Sequence, residues 1–128
     1  MSAVTLYRPV GTRELELIEA SGWKAFPPRL PEQPIFYPVT NEAYARQIAR
    51  DWNTRHNEDH RGYVTRFAVR QDVAARYDRK IVGGREHEEL WVPAEDLPAF
   101  NGAITGRIEV IAAYGPDGVE ITLSTGAP

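Results

Sequence analysis

The chain of 128 residues, 42% apolar and 26% charged, has the size and composition of one globular domain. Its net charge of −3 disfavours binding of nucleic acid through overall charge, and the absence of cysteine excludes disulfides, thiolate metal sites and a cysteine nucleophile. The longest apolar run, 110–114, is too short to span a membrane, and the N-terminus lacks the features of a secretory signal. We therefore expect a cytoplasmic protein without a membrane partner.

The first elements predicted are a short strand and a helix. The strand covers residues 5–10, and its end should lie at an edge or bend because Pro9 has no backbone N–H to donate. Thr12 is suited to cap the following helix, and Gly22 is suited to end it in the left-handed conformation.

A proline-rich stretch precedes the second strand and helix. Residues 26–34 contain four prolines, which forbid a helix interior or a central strand and predict an ordered loop over the surface. Residues 35–37 predict a brief buried strand, and Thr40 or Asn41 can cap the helix that follows. The helical period places one apolar stripe on Tyr44, Ile48 and Trp52, with Ala45 and Ala49 beside them.

The second half of the chain is rich in strands. After a polar stretch at 53–62, which predicts a solvent-exposed loop, strict alternation over 63–69 predicts the clearest strand. Residues 72–77 predict a helical turn, and Pro93 is suited to the first position of a short helix over 94–100. Further strands are predicted at 81–82, 86–92, 108–114 and 119–123. The pattern favours an α+β fold, with a single domain over 1–123, two main helices in its N-terminal half and a disordered tail at 124–128.

The few histidines and the short motifs of the sequence are the next candidates to carry chemistry. His56 and His60 lie four apart in the polar stretch, where a loop does not hold two ligands as a helix does, so no metal site is predicted. The sequence also lacks the common motifs of nucleotide, zinc and serine hydrolases.

Two charged positions stand out within strands. His87, Glu89 and Trp91 share one face of the predicted strand 86–92, and Arg8 is a lone cation in an apolar strand. The alternative interpretation is that His87 and Glu89 are surface groups of an edge strand and that Arg8 is an exposed charge at a strand end. A carboxylate beside an imidazole and an indole is not an ordinary core face, which makes these residues candidates for a functional site.

Four segments together resemble the ADP-ribosyltransferase superfamily. They are Leu-Tyr-Arg at 6–8, Pro-Ile-Phe-Tyr at 34–37, Asn-Glu-Ala-Tyr-Ala at 41–45, and Glu-Leu-Trp-Val-Pro at 89–93. The resemblance spans roughly residues 5–114 and mixes two branches: the arginine at position 8 matches the arginine-using branch, whereas 25–45 is similar to the polymerase branch. The chain also looks like small bacterial proteins labelled "ADP-ribosylation/crystallin J1", although nothing in it resembles the ADP-ribosyl hydrolases from which that label derives.

The resemblance implies split antiparallel β-sheets and NAD as a substrate, with no metal. Arg8 would bind the nicotinamide-side ribose or a phosphate, and Tyr37 would stack on the nicotinamide. Glu89 would hydrogen-bond a ribose hydroxyl and stabilise an oxocarbenium-like transition state, while His87 would act as a general base or orient Glu89. The remaining residues expected at the NAD site are Tyr7, Tyr44 and Thr65.

The function that this resemblance implies is transfer of ADP-ribose from NAD to an unknown protein or nucleic-acid acceptor, or to water. One alternative is a non-enzymatic module of the same fold that binds a nucleotide or a protein. A further alternative is an enzyme similar to the tRNA 2′-phosphotransferases, a class that needs several basic residues in its pocket; the net negative charge argues against it.

Overall fold

Two antiparallel sheets form the frame of the molecule. The structure is a computed structural model, and it describes residues 2–82 and 87–121. The first sheet contains, in spatial order, β1 (Ala3–Val10), β3 (Gly62–Arg70), β6 (Ile104–Tyr114) and β7 (Glu120–Ile121). The second contains β2 (Ile35–Phe36), β5 (Glu88–Pro93) and β4 (Asp78–Ile81).

Helices cover both sides of this frame. The first half of the chain contributes α1 (Thr12–Ala20) and then α2 (Glu42–Gln47), which continues through a π-helical segment, Ile48–Asn53, into α3 (Thr54–His56). Shorter pieces follow: α4 (Gln71–Ala74), and a 3₁₀ turn, Ala94–Asp96, that leads into α5 (Leu97–Gly102). The predicted α+β class is confirmed.

Val39 joins the two sheets. Its N–H donates to the Tyr7 carbonyl at 2.7 Å, and its carbonyl accepts from the Tyr7 N–H at 2.9 Å. On its other side Val39 is bridged to Glu89 of β5, next to a bond of 2.8 Å from Leu90 N to Pro38 O. Because directly opposed residues of antiparallel strands point to the same face, Tyr7, Val39 and Glu89 project from one face of the joined sheets.

Apolar cores lie on both faces of β1. The larger core contains Leu6 and Val10 and draws on both sheets; at its centre are four aromatic rings, those of Phe26, Phe36, Phe67 and Phe100. The smaller core lies under α2 and includes Val39 and Val64. Alternation along β1 therefore assigns Leu6 and Arg8 to the first face and Tyr7 to the second.

The apolar stripe predicted on the second helix is wrong at its end. Trp52 is 60% exposed, whereas the alanines of the stripe, Ala45 and Ala49, are fully buried. The reason is the close approach of this helix to β3, where a Cβ on Gly62 would lie 2.5 Å from the Ala49 carbonyl oxygen. Only small side chains fit that contact, so the large rings are displaced to its sides.

Several predicted boundaries are confirmed. Gly22 follows α1 with φ +79°, in the left-handed region. The Asn41 side chain caps α2 by accepting the Tyr44 N–H at 3.0 Å. Pro9 lies near the end of β1, at the edge of the first sheet.

Other predicted boundaries are wrong. Gly11, not Thr12, is the N-cap of α1, and the Thr12 hydroxyl donates to Asp59 instead. The helix continues to His56, so the stretch from 53 is not all loop. Pro93 is the last residue of β5 and not the first position of a helix, since a 3₁₀ turn lies between it and α5. The predicted tail at 124–128 and part of the strand predicted at 119–123 lie outside the described residues.

Candidate functional site

The carboxylate of Glu89 is held by two hydrogen bonds within an aromatic cluster. The Tyr44 hydroxyl donates to its Oε2 at 2.9 Å, and the Trp91 indole Nε1 donates to its Oε1 at 3.1 Å. The Tyr37 ring meets Trp91 edge-on with centroids 5.4 Å apart, and the His87 imidazole stacks on Tyr44 at 4.3 Å and 13°. All five side chains are half-buried, so they combine fixed geometry with access to solvent.

Local sequence explains how these groups meet. Alternation along β5 places Glu89 and Trp91 on the face that α2 covers. The Asn41 cap starts α2 immediately after Val39, which brings Tyr44, in the first turn, over that face. The bridge between Val39 and Glu89 then fixes the distance between the helix start and β5.

The Tyr44 hydroxyl is a persistent hydrogen-bond donor. Burial and its hydrogen bond to the Glu89 carboxylate raise the pKa of Tyr44 to about 12. Both effects disfavour the phenolate, so the proton stays between the two oxygens at neutral pH. Tyr44 thus restrains one oxygen of Glu89 in the way that a supporting residue restrains a catalytic group.

The adjacent carboxylate, Glu88, has different partners. It points to the opposite side of β5, where its Oε1 accepts the Thr40 hydroxyl at 2.8 Å and lies 3.6 Å from Arg79 Nη1. On the Glu89 side, the Lys80 ammonium lies 5.0 Å from the centre of the Trp91 ring. The two neighbouring glutamates therefore belong to separate networks.

Arg8 does not join the Glu89 cluster. It is 8% exposed on the other face of β1, where its Nε and Nη2 donate to Glu14 at 2.6 and 3.0 Å and its guanidinium lies 4.6 Å from the centre of the Phe36 ring. Thr65 is fully buried, and its hydroxyl donates to the Arg8 carbonyl at 2.8 Å, which is a structural contact.

The sequence-predicted site residues therefore divide into two groups. Tyr37, Tyr44, His87 and Glu89 form one cluster through Trp91 and the Tyr44 ring, and Tyr7 shares their face through Val39. The residues on the other face are Arg8 and Thr65.

A large cleft lies beside Arg8. Its volume is about 1110 Å³, and it lies between the end of β1, the start of α1, the proline-rich loop and the end of α3. Its walls include Arg29, Trp52 and His56, which the sequence reasoning did not assign to a site. A signal for Arg29 was available, since a basic residue flanked by prolines is presented by a constrained loop. For Trp52, the signal was the presence of Ala45 and Ala49 on the same helix, because small residues mark the side that packs closely and Trp52 is then displaced from it.

The described residues offer no evident metal site. Within 2–82 and 87–121, no group of three His, Cys, Asp or Glu side chains converges in a way that could hold an ion. Across the same residues, no helix is both long enough and apolar enough to cross a bilayer.

Comparison with known proteins yielded no relative. No family model matches the chain, and no curated protein or solved structure matches it. A function for the site must therefore be argued from its geometry, together with the motif resemblance described above.

Proposed function

We propose that the protein is an NAD-dependent ADP-ribosyltransferase or NAD glycohydrolase in which Glu89 is the catalytic carboxylate. The observation that carries this proposal is the fixation of both Glu89 oxygens, by the Tyr44 hydroxyl and the Trp91 indole. A carboxylate oxygen can accept more than one hydrogen bond, so each oxygen keeps a free lone pair for a ribose hydroxyl.

The chemistry requires a negative charge held in place before reaction. When the nicotinamide–ribose bond breaks, the bonding electrons leave with nicotinamide and positive charge develops on the ribose. A carboxylate already oriented by two donors stabilises that charge without reorganising. An acceptor or water then adds to the ribose carbon and releases one proton. Tyr37, beside Trp91, supplies an aromatic wall for the leaving ring.

The topology supports the same assignment. Three of the four segments that resemble the superfamily motifs, on β1, at 34–37 and on β5, lie far apart in sequence. Val39 brings them side by side, because it is bridged to both Tyr7 and Glu89. The sheets are antiparallel and divided into two groups, which agrees with the architecture that the resemblance implies.

His87 is suited to receive the released proton. Its imidazole stacks on Tyr44, the residue that donates to Glu89, and is half-buried. A neutral imidazole has a ring nitrogen that can accept a proton from an acceptor group or from water. We assign it the role of general base in the proposed reaction.

The test is consumption of NAD by the purified protein, followed as release of free nicotinamide. Glu89→Gln keeps the size and one acceptor but removes the charge, and we expect a loss of about 100-fold or more. Glu88→Gln is the matched control, since it makes the same change on the other side of β5. Tyr44→Phe should give an intermediate loss. The proposal is wrong if the wild-type protein releases no nicotinamide, or if Glu88→Gln and Glu89→Gln behave alike.

A second candidate function is nucleotide binding without cleavage. The position of Arg8, on the face away from Glu89, favours it, because the cleft beside Arg8 and the carboxylate cluster are then separate features. Its signature is thermal stabilisation of the protein by NAD with no nicotinamide released.

A further inference from the structure

The cleft beside Arg8 contains a concentrated positive charge. The guanidinium carbons of Arg8 and Arg29 lie 4.6 and 5.9 Å from the centre of the same ring, that of Phe36. One carboxylate, that of Glu14, is bonded to Arg8. Two cations thus face one anion on this wall of the cleft, which leaves an excess positive charge centred on Arg29.

Arg29 retains unused hydrogen-bonding capacity. The structure gives its guanidinium one hydrogen bond, from Nε to the Ile35 carbonyl at 3.2 Å. Among residues 2–82 and 87–121, no carboxylate forms an ion pair with it. Burial and the neighbouring charge of Arg8 lower the pKa of Arg29. An incoming anion would relieve both penalties, and the terminal nitrogens form a planar fork that matches phosphate oxygens.

The loop that carries Arg29 is rigid by composition. Pro27 and Pro28 precede it and Pro31 follows it, which restricts the backbone on both sides. The backbone at Arg29 is therefore restrained, and the hydrogen bond from Nε to the Ile35 carbonyl orients the side chain at the cleft, which reduces the entropy lost on binding.

The cleft also presents an aromatic surface. Trp52 is 60% exposed, and its ring lies 4.0 Å from that of His56, centroid to centroid. Both line the same cleft as Arg29. The two rings overlap at a tilt of 38°, which orients the exposed indole, and the indole offers an aromatic face on which a nucleobase can stack.

The remaining charges of the cleft select for a small ligand. The exposed charged residues of its lining form the rim: three are acidic, Glu16, Glu58 and Asp59, and one is basic, Arg13. A polynucleotide would meet repulsion along this rim, whereas a single nucleotide needs only the local charge at Arg29. A volume of about 1110 Å³ is ample for such a molecule.

We propose that this cleft is a nucleotide subsite in which Arg29, supported by Arg8, binds the phosphates and Trp52 with His56 stacks the base. The ligand class is a nucleoside diphosphate or a larger molecule that contains one. The choice of nucleotide rests on the proposed function, since NAD contains an adenosine diphosphate unit. Phosphate binding by Arg29 does not rest on the proposed reaction, because it follows from the charge and hydrogen-bonding capacity of Arg29 in the cleft.

The test is binding of ADP to the full-length chain, measured by calorimetry. Arg29→Gln should weaken ADP binding by about 10-fold or more, and Arg29→Lys should restore part of it as a point charge. Arg107→Gln, an exposed arginine outside the cleft, is the control for net charge and should leave binding unchanged. Thermal melting of each variant checks that the fold is retained.

Two partial ligands separate the halves of the subsite. Inorganic pyrophosphate should bind in a way that depends on Arg29 and not on Trp52, so Trp52→Ala should weaken ADP binding and leave pyrophosphate binding intact. Adenosine should show the reverse dependence.

The outcomes distinguish this inference from the proposed reaction. ADP has no nicotinamide–ribose bond, so Glu89→Gln should bind it as the wild type does. Dependence of ADP binding on Arg29 without any NAD cleavage refutes the reaction and supports the subsite. ADP binding that is absent in the wild type or unchanged in Arg29→Gln refutes the subsite, as does tighter binding of an RNA oligonucleotide at the same residues.

Discussion

Replacing Glu14 by glutamine removes the negative charge that pairs with the buried guanidinium of Arg8. The side chains of Arg8 and Glu14 are 10% and 20% exposed, and two nitrogen–oxygen contacts of 2.6 and 3.0 Å join them. Breaking a buried ion pair by removing one partner costs about 3–5 kcal/mol. Glutamine keeps one acceptor oxygen and the pair retains some solvent contact, so we expect a loss of about 2.5 kcal/mol in the free energy of unfolding.

That loss corresponds to a measurable change in melting temperature. An unfolding entropy of about 2.1 cal/mol/K per residue gives about 0.27 kcal/mol/K for 128 residues. The melting temperature should therefore fall by about 9 °C, measured by calorimetry or circular dichroism. Affinity for ADP should rise in the same variant, because the phosphates no longer compete with a carboxylate for the arginines.

The control lies on the same helix. Glu16 and Arg13 approach to 3.9 Å with side chains that are 61% and 82% exposed, so Glu16→Gln should change stability by less than about 0.5 kcal/mol. If Glu14→Gln and Glu16→Gln have the same small effect on stability, the ion pair between Arg8 and Glu14 is not a buried interaction. Arg8 is then not a fixed part of the wall of the cleft.

Two further predictions concern the helix–strand contact and the Glu89 cluster. Gly62→Ala forces a Cβ within 2.5 Å of the Ala49 carbonyl oxygen and should lower the free energy of unfolding by about 1–3 kcal/mol, whereas Gly102→Ala, with no atom within 4 Å of the new Cβ, should not lower it; denaturant titration of both variants decides. The folded-state pKa of Tyr44, about 12, exceeds the unfolded value of 10.0, so its stabilising contribution is complete below pH 10 and is lost as pH rises towards 12. Glu89→Gln should shift the Tyr44 titration to lower pH, measured by NMR of carbon-labelled tyrosine, and an unshifted titration would contradict the hydrogen bond.

Local chemistry made part of the fold predictable. The left-handed Gly22, the Asn41 cap and the alternation of β3 depend on neighbours within a few residues, and these predictions are confirmed. The exposure of Trp52 depends instead on how closely the helix approaches Gly62, a contact between distant parts of the chain. Periodicity identifies a stripe of apolar residues, but it does not measure the space available to them.

The candidate site was also predictable only where local alternation determines the placement of a side chain. Alternation along one strand predicted that Glu89 and Trp91 share a face, and their hydrogen bond agrees with it. Arg8 was grouped with Glu89 through motif order alone, which carries no information on strand faces. The backbone register places Glu89 level with Tyr7. Arg8 is the next residue of β1, so its side chain points to the opposite face of the strand.

Val39 provides a point at which separation of the two sheets can be detected. Its amide proton and that of Tyr7 are both held in the mutual pair of bonds that joins β1 to the second sheet. Any partial unfolding that removes Val39 from β1 together with β5 must break both bonds together. These two amides should therefore exchange with solvent deuterium at matching rates, which report the free energy of separating the sheets.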